Sequence, residues 1–278
     1  MELLKGKPVA QRLYQEIKEK FSHLKPHVAI VVATKDESSL TYLRSKVRRM
    51  NKYGIEVEVL QLDENIPQEQ FLNHIRRLND EESIDGIFVE MPLPPQIDPY
   101  AVASTICPKK DIEGISPWNL GKIYYGREEI APSTASAVIQ ILEHYKVEIK
   151  GKRAVVMGRS VVVGKPVAMM LTNRHATTTV IHSRTPNPEE ITRQADILVV
   201  AIGRAKHVKR HMVKEGAVIV DVGINVVGDS IVGDVDCEDV RDVASAITPV
   251  PGGVGTVTTA ITLYRAFYMK WLREKGEL

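Results

Sequence analysis

The segment RAVVMGRSVVVGKP, residues 153–166, decides the fold of this chain. It begins with an apolar run that predicts a strand, and a helix is predicted to follow through Leu171. Gly158 between them permits a tight turn, and the free N–H groups at the start of the helix can hold an anion. The pattern differs from the common Gly-X-Gly-X-X-Gly, because Ser160 takes the place of the second glycine and the third is displaced to Gly164.

The next predicted strand, residues 177–181, ends at His182-Ser183-Arg184-Thr185 without an acid. In folds that prefer NAD, an acid near this position binds the ribose 2′-hydroxyl. Here Ser183 and Arg184 occupy that position, and Arg159 lies in the preceding turn. Guanidinium and hydroxyl groups without a carboxylate favour a 2′-phosphate, so the sequence predicts NADP rather than NAD. The alternative is that both arginines are solvated loop residues.

Strands and helices alternate on both sides of this segment. Alternation of this kind predicts an α/β fold with parallel sheets, in which ligands bind at the carboxyl ends of the strands. The predicted strands are residues 28–33, 56–62, 84–90, 153–157, 177–181, 196–201 and 217–222. The predicted helices are residues 9–21, 38–53, 68–78, 133–145 and 256–275.

The helix predicted at residues 38–53 carries Tyr42 and Lys46 four residues apart, so the two side chains share one face. An aromatic ring can hold a flat ligand, and an amine can transfer a proton or polarise an oxygen. Glu90 ends the third predicted strand, where site residues gather in parallel sheets. Taken alone, the pair also fits a half-exposed tyrosine beside a solvated lysine on a basic helix.

Two loops combine residue types that suit a binding site. Asp111 and Glu113, in the segment KDIEG at residues 110–114, can grip a polar heterocycle, although a surface turn with solvated acids explains them equally well. The segment TPVPGGVG, residues 248–255, holds two prolines and three glycines. An ordinary turn rarely needs so many special residues, so this loop is predicted to contact a ligand.

Composition excludes several classes of function. The net charge of +2 over 278 residues gives no bulk attraction to nucleic acid, and no apolar run is long enough to span a membrane. Cys107 and Cys237 form neither a metal cluster nor a disulfide framework, which favours a reducing cytoplasm. His207 and His211 lie among lysines and arginines that would repel a divalent cation, so they are predicted to be surface residues.

Taken together, these motifs resemble the bifunctional methylenetetrahydrofolate dehydrogenase/cyclohydrolase family over nearly the whole chain. The segment at residues 248–255 is the most specific of them. The resemblance rests, in chain order, on Tyr42 with Lys46, and on residues 90–94, 110–114, 158–160, 182–183, 221–225, 232–235 and 248–255.

The resemblance implies two α/β domains around a cleft. Residues 1–131 would form a three-layer folate-binding and catalytic domain, completed by a C-terminal helix at 256–278, and residues 132–255 a Rossmann-type NADP domain. The implied enzyme is a cytoplasmic homodimer that binds tetrahydrofolate derivatives and NADP, without nucleic acid, membrane or metal. It would oxidise 5,10-methylenetetrahydrofolate to the 5,10-methenyl form with NADP⁺ and hydrolyse that product to 10-formyltetrahydrofolate, in one-carbon metabolism.

The resemblance also assigns roles to individual residues. Lys46 would be the catalytic amine, and Tyr42 would pack on the substrate and orient it. Glu113 replaces the family's pterin-binding Asp, and Asp111 remains a second candidate for that contact. Residues implied to contact substrate also include Pro251, Gly252 and Gly253, and those implied to line the cofactor are Gly158, Arg159, Ser160, Ser183 and Ile224.

Some positions depart from the family pattern. The family usually has Gln at the position of Glu90, and a carboxylate beside Lys46 stabilises the ammonium form. We therefore expect the dehydrogenase activity to persist and the cyclohydrolase activity to be altered. Glu113 keeps the charge of the usual Asp but is longer by a methylene. Ala135 and Thr256 stand where Pro is usual.

Two other functions remain as alternatives. The chain could be a shikimate dehydrogenase-like NADP oxidoreductase of the same two-domain plan, although the loop at residues 248–255 and the spacing of Tyr42 and Lys46 argue against this. It could also be a nucleotide-binding homologue that has lost catalysis, as the changes at Glu90 and Glu113 would allow. An intact Lys46 argues against that second alternative.

Overall fold

The computed structural model describes residues 1–228 and 230–277, without the side chains of Ser38 and Tyr42. These residues divide into two compact units. The small-sheet unit comprises Tyr14–Gly121 and Thr262–Leu278, and the large-sheet unit comprises Met1–Leu13 and Lys122–Ile261. The first and last long helices contribute to both units. Asp229 lies outside the described residues.

Short strands and longer helices alternate along the described chain. The strands are β1 (Glu2–Leu3), β2 (His27–Val32), β3 (Glu56–Gln61), β4 (Gly86–Val89), β5 (Arg153–Met157), β6 (Thr177–Ile181), β7 (Ile197–Val200), β8 (Val218–Asp221), β9 (Asn225–Val227), β10 (Ser230–Val232) and β11 (Ala246–Ile247). The helices are α1 (Gly6–Lys20), α2 (Glu37–Lys52), α3 (Gln68–Asp80), α4 (Pro99–Thr105), α5 (Pro117–Tyr124), α6 (Ser133–His144), α7 (Gly164–Asn173), α8 (Pro188–Thr192) and α9 (Val254–Glu274). A 3₁₀ turn spans Arg210–Met212.

The small-sheet unit is built on β2, which lies between β3 and β4 and is parallel to both. Five of the six residues of β2 are buried, as expected for an apolar strand covered on both faces. Helix α3 packs on the sheet through Phe71, Leu72, Ile75 and Leu78, which recur at helical spacing. Because β4 is parallel to β2, the residue after Val89 lies at the carboxyl edge of this sheet.

The large-sheet unit orders its strands β1-β11-β8-β7-β5-β6, and all the paired strands are parallel. The strands β5, β7 and β8 form its centre, and apolar residues such as Val155, Leu198 and Ile219 are buried there. Strands β9 and β10 form a separate antiparallel hairpin. The residues after β5, β6, β7 and β8 therefore share one edge of the sheet.

The fold class predicted from the sequence, an α/β protein with parallel sheets, is confirmed. The elements that the sequence does not predict are short. β1 and β11 have two residues each, β9 and β10 have three each, and α8, α4 and α5 have five, seven and eight. Segments of these lengths are too short to show a clear hydrophobic period. Among the described residues, no helix is both long enough and apolar enough to cross a bilayer.

Candidate functional site

A buried ion pair joins helix α2 to the carboxyl edge of the small sheet. The Nζ atom of Lys46 lies 2.6 Å from Oε2 of Glu90, and the two side chains are 16% and 9% exposed. The same amine lies 3.8 Å from the centroid of the Phe88 ring, which favours a cation. Two positions that the sequence selects separately are thus brought together, and the amine of Lys46 is held at a fixed place.

Glu113 lies in the loop after the sheet and is held by the terminal helix. The hydroxyl of Thr262 donates to its carboxylate at 3.1 Å, and the buried guanidinium of Arg265 donates to its backbone carbonyl at 3.3 Å. Burial raises the pKa of Glu113, and the nearby cations Lys46 and Arg265 oppose this rise. Neither Thr262 nor Arg265 is predicted from the sequence, although both belong to this site.

Asp111 organises the loop that presents Glu113. Its carboxylate is fully buried and accepts hydrogen bonds within the loop. The donors are the backbone N–H groups of Gly114, Ile115 and Ser116, at 2.8, 3.1 and 2.8 Å, and the Asn119 amide at 2.9 Å. A substrate contact through Asp111 would break these bonds. Of the two acids that the sequence leaves open for this contact, Glu113 is therefore the better placed.

A cavity of about 450 Å³ lies at the carboxyl edge of the large sheet. Gly158, Arg159 and Ser183, all predicted from the sequence to line a cofactor, line this cavity. A volume in this range suits a small-molecule ligand. The lining also includes residues that the sequence does not predict for this role: His182, Glu189, Arg204 and His207. His207 is exposed, as predicted for a surface residue, but it is also part of this cavity.

The turn after β5 fits the backbone approach that a dinucleotide needs. Gly158 has a φ of +125°, and a Cβ atom there would lie 2.2 Å from the carbonyl oxygen of Ala201. A Cβ atom on Gly164, the first residue of α7, would lie 2.1 Å from the carbonyl oxygen of Gly158. Glycine is required at both positions. At the start of α7, the N–H groups of Gly164 and Lys165 already donate to the hydroxyl and the carbonyl of Ser160. The donors that fit a phosphorylated dinucleotide are therefore the side chains of Arg159 and Ser183, beside a turn that leaves room for close approach.

The other predicted cofactor residues lie outside the lining of this cavity. Ser160 is exposed in the turn, and its hydroxyl accepts a hydrogen bond from the Gly164 N–H at 3.3 Å. Ile224 follows β8, and its side chain is 64% exposed. Both residues belong to the large-sheet unit, as does Gly158, and their roles remain predictions.

Two buried aspartates fix the loops after β7 and β8. Asp221 accepts hydrogen bonds from the N–H groups of Gly223, Asp234 and Val235, at 3.0, 3.0 and 2.9 Å. Asp234 accepts from the N–H groups of Ile202, Gly203 and Arg204 and from the Asn225 amide. Burial raises the pKa of Asp221 to about 6, against the effect of its hydrogen bonds. The aspartates of two motifs noted in the sequence are therefore structural.

The loop before α9 contains the remaining predicted substrate residues. Pro251 and Gly252 are exposed, and Gly253 is buried. Gly252 has a φ of +103°, and its carbonyl accepts a hydrogen bond from the N–H of Gly6 at 2.8 Å. A Cβ atom on Gly253 would lie 2.5 Å from the carbonyl oxygen of Pro249. The backbone of this loop is therefore closely fixed within the large-sheet unit.

Two further sequence predictions concern Tyr42 and metal ligands. The backbone of Tyr42 belongs to α2, but its side chain lies outside the described part of the structure. His211 is exposed, as predicted. Residues 1–228 and 230–277 contain no group of three or more His, Cys, Asp or Glu side chains able to hold a metal ion.

Comparison with known proteins assigns both parts of the chain to one family of enzymes. A family model described as the tetrahydrofolate dehydrogenase/cyclohydrolase catalytic domain matches residues 4–113, and the model of its NAD(P)-binding domain matches residues 132–273. The bifunctional protein FolD of Halalkalibacterium halodurans is 45% identical, over 94% of this chain and 95% of its own length.

Solved structures agree with these matches. The bifunctional FolD enzyme of Campylobacter jejuni has a TM-score of 0.94 at 38% identity and covers 98% of this chain and 99% of its own. FolD of Trypanosoma brucei, solved with NADP and an inhibitor, has a TM-score of 0.91 at 36% identity, covering 99% and 98%. These matches confirm the resemblance that the motifs indicate. The chain therefore belongs to the tetrahydrofolate dehydrogenase/cyclohydrolase family.

Proposed function

We propose that this protein is an NADP-dependent methylenetetrahydrofolate dehydrogenase that also acts as a methenyltetrahydrofolate cyclohydrolase. It oxidises 5,10-methylenetetrahydrofolate to the methenyl form and hydrolyses the methenyl form to 10-formyltetrahydrofolate. The observation that carries this proposal is the buried pair of Lys46 and Glu90 at a sheet edge, in a chain whose two parts both match the family. The shikimate dehydrogenase alternative is not favoured by these matches.

The dehydrogenase step needs positioning more than it needs acid or base chemistry. NADP⁺, when bound, supplies the hydride acceptor, and the one-carbon bridge of the folate loses a hydride and becomes a cation. Gly158 leaves room for close approach of the dinucleotide to the backbone. Arg159 and Ser183 provide a guanidinium and a hydroxyl for the 2′-phosphate. We also assign Ser160 and Ile224 to cofactor binding.

The hydrolytic step adds water to the one-carbon cation and opens the ring at one nitrogen, with loss of a proton. Lys46 is assigned as the group that orients this water or accepts its proton. Tyr42 packs on the substrate and orients it, and Glu113 holds the pterin ring. We assign Asp111 to the loop that carries Glu113, because its oxygens are already used there. Substrate contacts with the backbone are assigned to Pro251, Gly252 and Gly253.

Glu90 is expected to limit the hydrolytic step. Its carboxylate accepts a hydrogen bond from the Lys46 amine at 2.6 Å, so the amine is held by the acid and is less able to contact the attacking water. A Glu90→Gln variant should therefore gain cyclohydrolase activity, with a changed pH profile, while its dehydrogenase activity stays close to that of the parent protein. Unchanged partial rates and pH profiles would contradict this role.

The division of labour along the chain is also part of the proposal. Residues 1–131 with the terminal helix at 256–278 would bind folate, and residues 132–255 would bind NADP. We propose a homodimer that works in a reducing cytoplasm, which is consistent with Cys107 and Cys237 both being free. Sedimentation velocity would test the dimer.

A spectrophotometric assay of both half-reactions, with NADP⁺ and with NAD⁺, tests the main proposal. Methylenetetrahydrofolate and NADP⁺ should give the absorbance of the methenyl product, which should then decay as it is hydrolysed. NAD⁺ should be the weaker acceptor. A protein that binds NADP but stays inert would instead be the non-catalytic homologue, and oxidation of shikimate alone would indicate the other alternative.

A further inference from the structure

We propose that Thr262 and Arg265 of helix α9 are positioning residues that hold the Glu113 carboxylate in the orientation needed to bind the folate ring. This inference rests on the proposed function and adds two residues to its site. It assigns to the terminal helix a part in substrate specificity. Neither residue is proposed to touch the substrate or the cofactor.

Helix α9 contacts both the side chain and the backbone of Glu113. Thr262 donates its hydroxyl to Oε1 of the carboxylate at 3.1 Å. Arg265 donates from Nη1 to the carbonyl of Glu113 at 3.3 Å and to that of Ile112 at 3.4 Å. Thr262 and Arg265 are three residues apart on one helix and therefore share a face. One helical face thus fixes both the side chain and the backbone of this residue.

The burial of Arg265 is the second argument. A guanidinium that is only 3% exposed carries a large desolvation cost unless acids or carbonyls compensate it. Burial lowers the pKa of Arg265 to about 10, and the facing acids Glu113 and Asp111 oppose that change. A buried guanidinium needs acids or carbonyls close to it, and the loop that carries Asp111 and Glu113 provides them.

The length of the Glu113 side chain is the third argument. A glutamate has one more rotatable bond than an aspartate and loses more rotamer freedom when it is fixed. The Thr262 hydroxyl restricts that freedom before the substrate binds, and Arg265 fixes the backbone that carries the side chain. The hydrogen bonds to Asp111 fix the loop, and the charge of Lys46 attracts the Glu113 carboxylate. The hydroxyl of Thr262 on α9 then sets the direction in which the Glu113 side chain points.

The first test compares Thr262→Val with Thr262→Ser. The valine variant lacks the hydroxyl, so its KM for methylenetetrahydrofolate should rise about tenfold, with a smaller change in kcat. The serine variant should restore the KM. Thr259→Val is the matched control, because the hydroxyl of Thr259 donates to the Gly255 carbonyl within the same helix. This control should leave KM unchanged.

The pH profile separates positioning from simple stabilisation of the helix. The Thr262 hydroxyl lowers the pKa of Glu113, as do the charges of Lys46 and Arg265, whereas Asp111 raises it. Loss of the hydroxyl should therefore move the acid limb of the kcat/KM profile to higher pH. A residue that only stabilised α9 would lower the thermal midpoint without moving that limb.

A double-mutant cycle completes the test. In a Glu113→Ala background, Thr262→Val should have little further effect on KM, because the oxygen that accepts from its hydroxyl is gone. Arg265→Lys keeps the positive charge but not the fork geometry, and should raise KM less than Thr262→Val. Wild-type KM and pH profile in Thr262→Val, or an undiminished effect in the Glu113→Ala background, would overturn the inference. A parent protein without dehydrogenase activity would overturn the proposed function itself.

Discussion

Glu90 and Glu113 in the small-sheet unit have different partners from Asp221 and Asp234 in the large-sheet unit. In the small-sheet unit, Glu90 contacts the Lys46 amine, and Glu113 accepts from the Thr262 hydroxyl. In the large-sheet unit, Asp221 accepts from backbone N–H groups within the loops that it fixes, and Asp234 does so as well. Asp234 also accepts from the Asn225 amide, so backbone N–H groups are its main donors rather than its only ones. A side-chain donor can rotate away to admit substrate or water, whereas a backbone N–H group in a fixed loop cannot.

Asp111 shows that the partner, not the unit, determines the role. It belongs to the small-sheet unit, yet it accepts from backbone N–H groups as Asp221 does. Its neighbour Glu113, two residues later, has a side-chain donor. We therefore expect acids with backbone partners to affect stability and acids with side-chain partners to affect catalysis. The predictions below test this difference.

Loss of the Lys46 amine should have the largest effect. Lys46→Met should reduce cyclohydrolase activity by about 10²–10⁴-fold, which is the usual contribution of a positioned acid or base. The dehydrogenase step should fall less, because it depends on positioning. Initial rates of both half-reactions, measured on the same preparation, check this.

The buried Glu90 needs a control in that experiment, because Lys46→Met leaves its charge without the amine. The double variant with Glu90→Gln removes the unpaired charge and should recover stability without recovering cyclohydrolase activity. If the double variant hydrolyses the methenyl substrate at the parental rate, Lys46 is not the catalytic amine.

The glycine turn of the large-sheet unit should show the next largest effect. Gly158→Ala combines a strained φ, which costs roughly 1–3 kcal/mol, with a clash against Ala201, which costs about 1–3 kcal/mol more. The variant should lose NADP affinity as well as stability.

Gly151→Ala is the matched control, because Gly151 also has a positive φ but no atom within 4 Å of the added Cβ. It should cost roughly 1–2 kcal/mol and leave NADP affinity unchanged. Urea unfolding and fluorescence titration with NADP measure both effects, and equal losses in the two variants would argue against a cradle at Gly158.

The buried carboxyl of Asp221 should show in the pH dependence of stability. Its pKa of about 6 in the folded protein lies about two units above the ordinary value, which corresponds to about 3 kcal/mol. The folded state binds this proton more tightly than the unfolded state. The contribution to stability is therefore present below pH 4 or so and is lost as the pH rises through about 6.

Asp221→Asn removes this titration. The variant should be less stable at low pH, because its amide cannot accept all the backbone hydrogen bonds, but its free energy of unfolding should vary less between about pH 4 and 6. Urea unfolding across that range measures the difference. Parallel curves for the parent and the variant would mean that Asp221 does not titrate there.

The sequence predicts those parts of the fold that depend on local pattern. The apolar runs of β2, β5 and β7 and the helical spacing in α3 are visible in short windows. Strands β1 and β11 are not, because each has two residues and their pairing joins Glu2 to Ala246 across most of the chain. Pairing of that kind depends on tertiary structure and leaves no local signal.

The same distinction applies to the site. Glu90 and Gly158 follow apolar strands, and Ser183 follows a strand rich in β-branched residues, so a parallel sheet must place all three at a carboxyl edge. Thr262 and Arg265 lie in α9, a helix whose sequence mixes polar and apolar residues. In the sequence they are 149 and 152 residues away from Glu113. A sequence signal would have been a buried arginine within an otherwise apolar helical face. Such a residue needs an acid or a carbonyl, but the sequence does not say which one.

The smallest expected effect concerns the choice of cofactor in the large-sheet unit. Ser183 lines the cavity just after β6, in a segment (residues 182–185) that contains no acid, although Glu189 lines the same cavity. Ser183→Ala should weaken NADP⁺ binding by about tenfold, the usual loss for one hydrogen bond to a charged group, and should leave NAD⁺ binding unchanged. Titration of the same variant with both cofactors provides the internal control. Equal weakening of both would show that Ser183 supports the turn and does not bind the phosphate. Its role would then be structural, like that of Asp221, and not ligand binding, like that of Glu113.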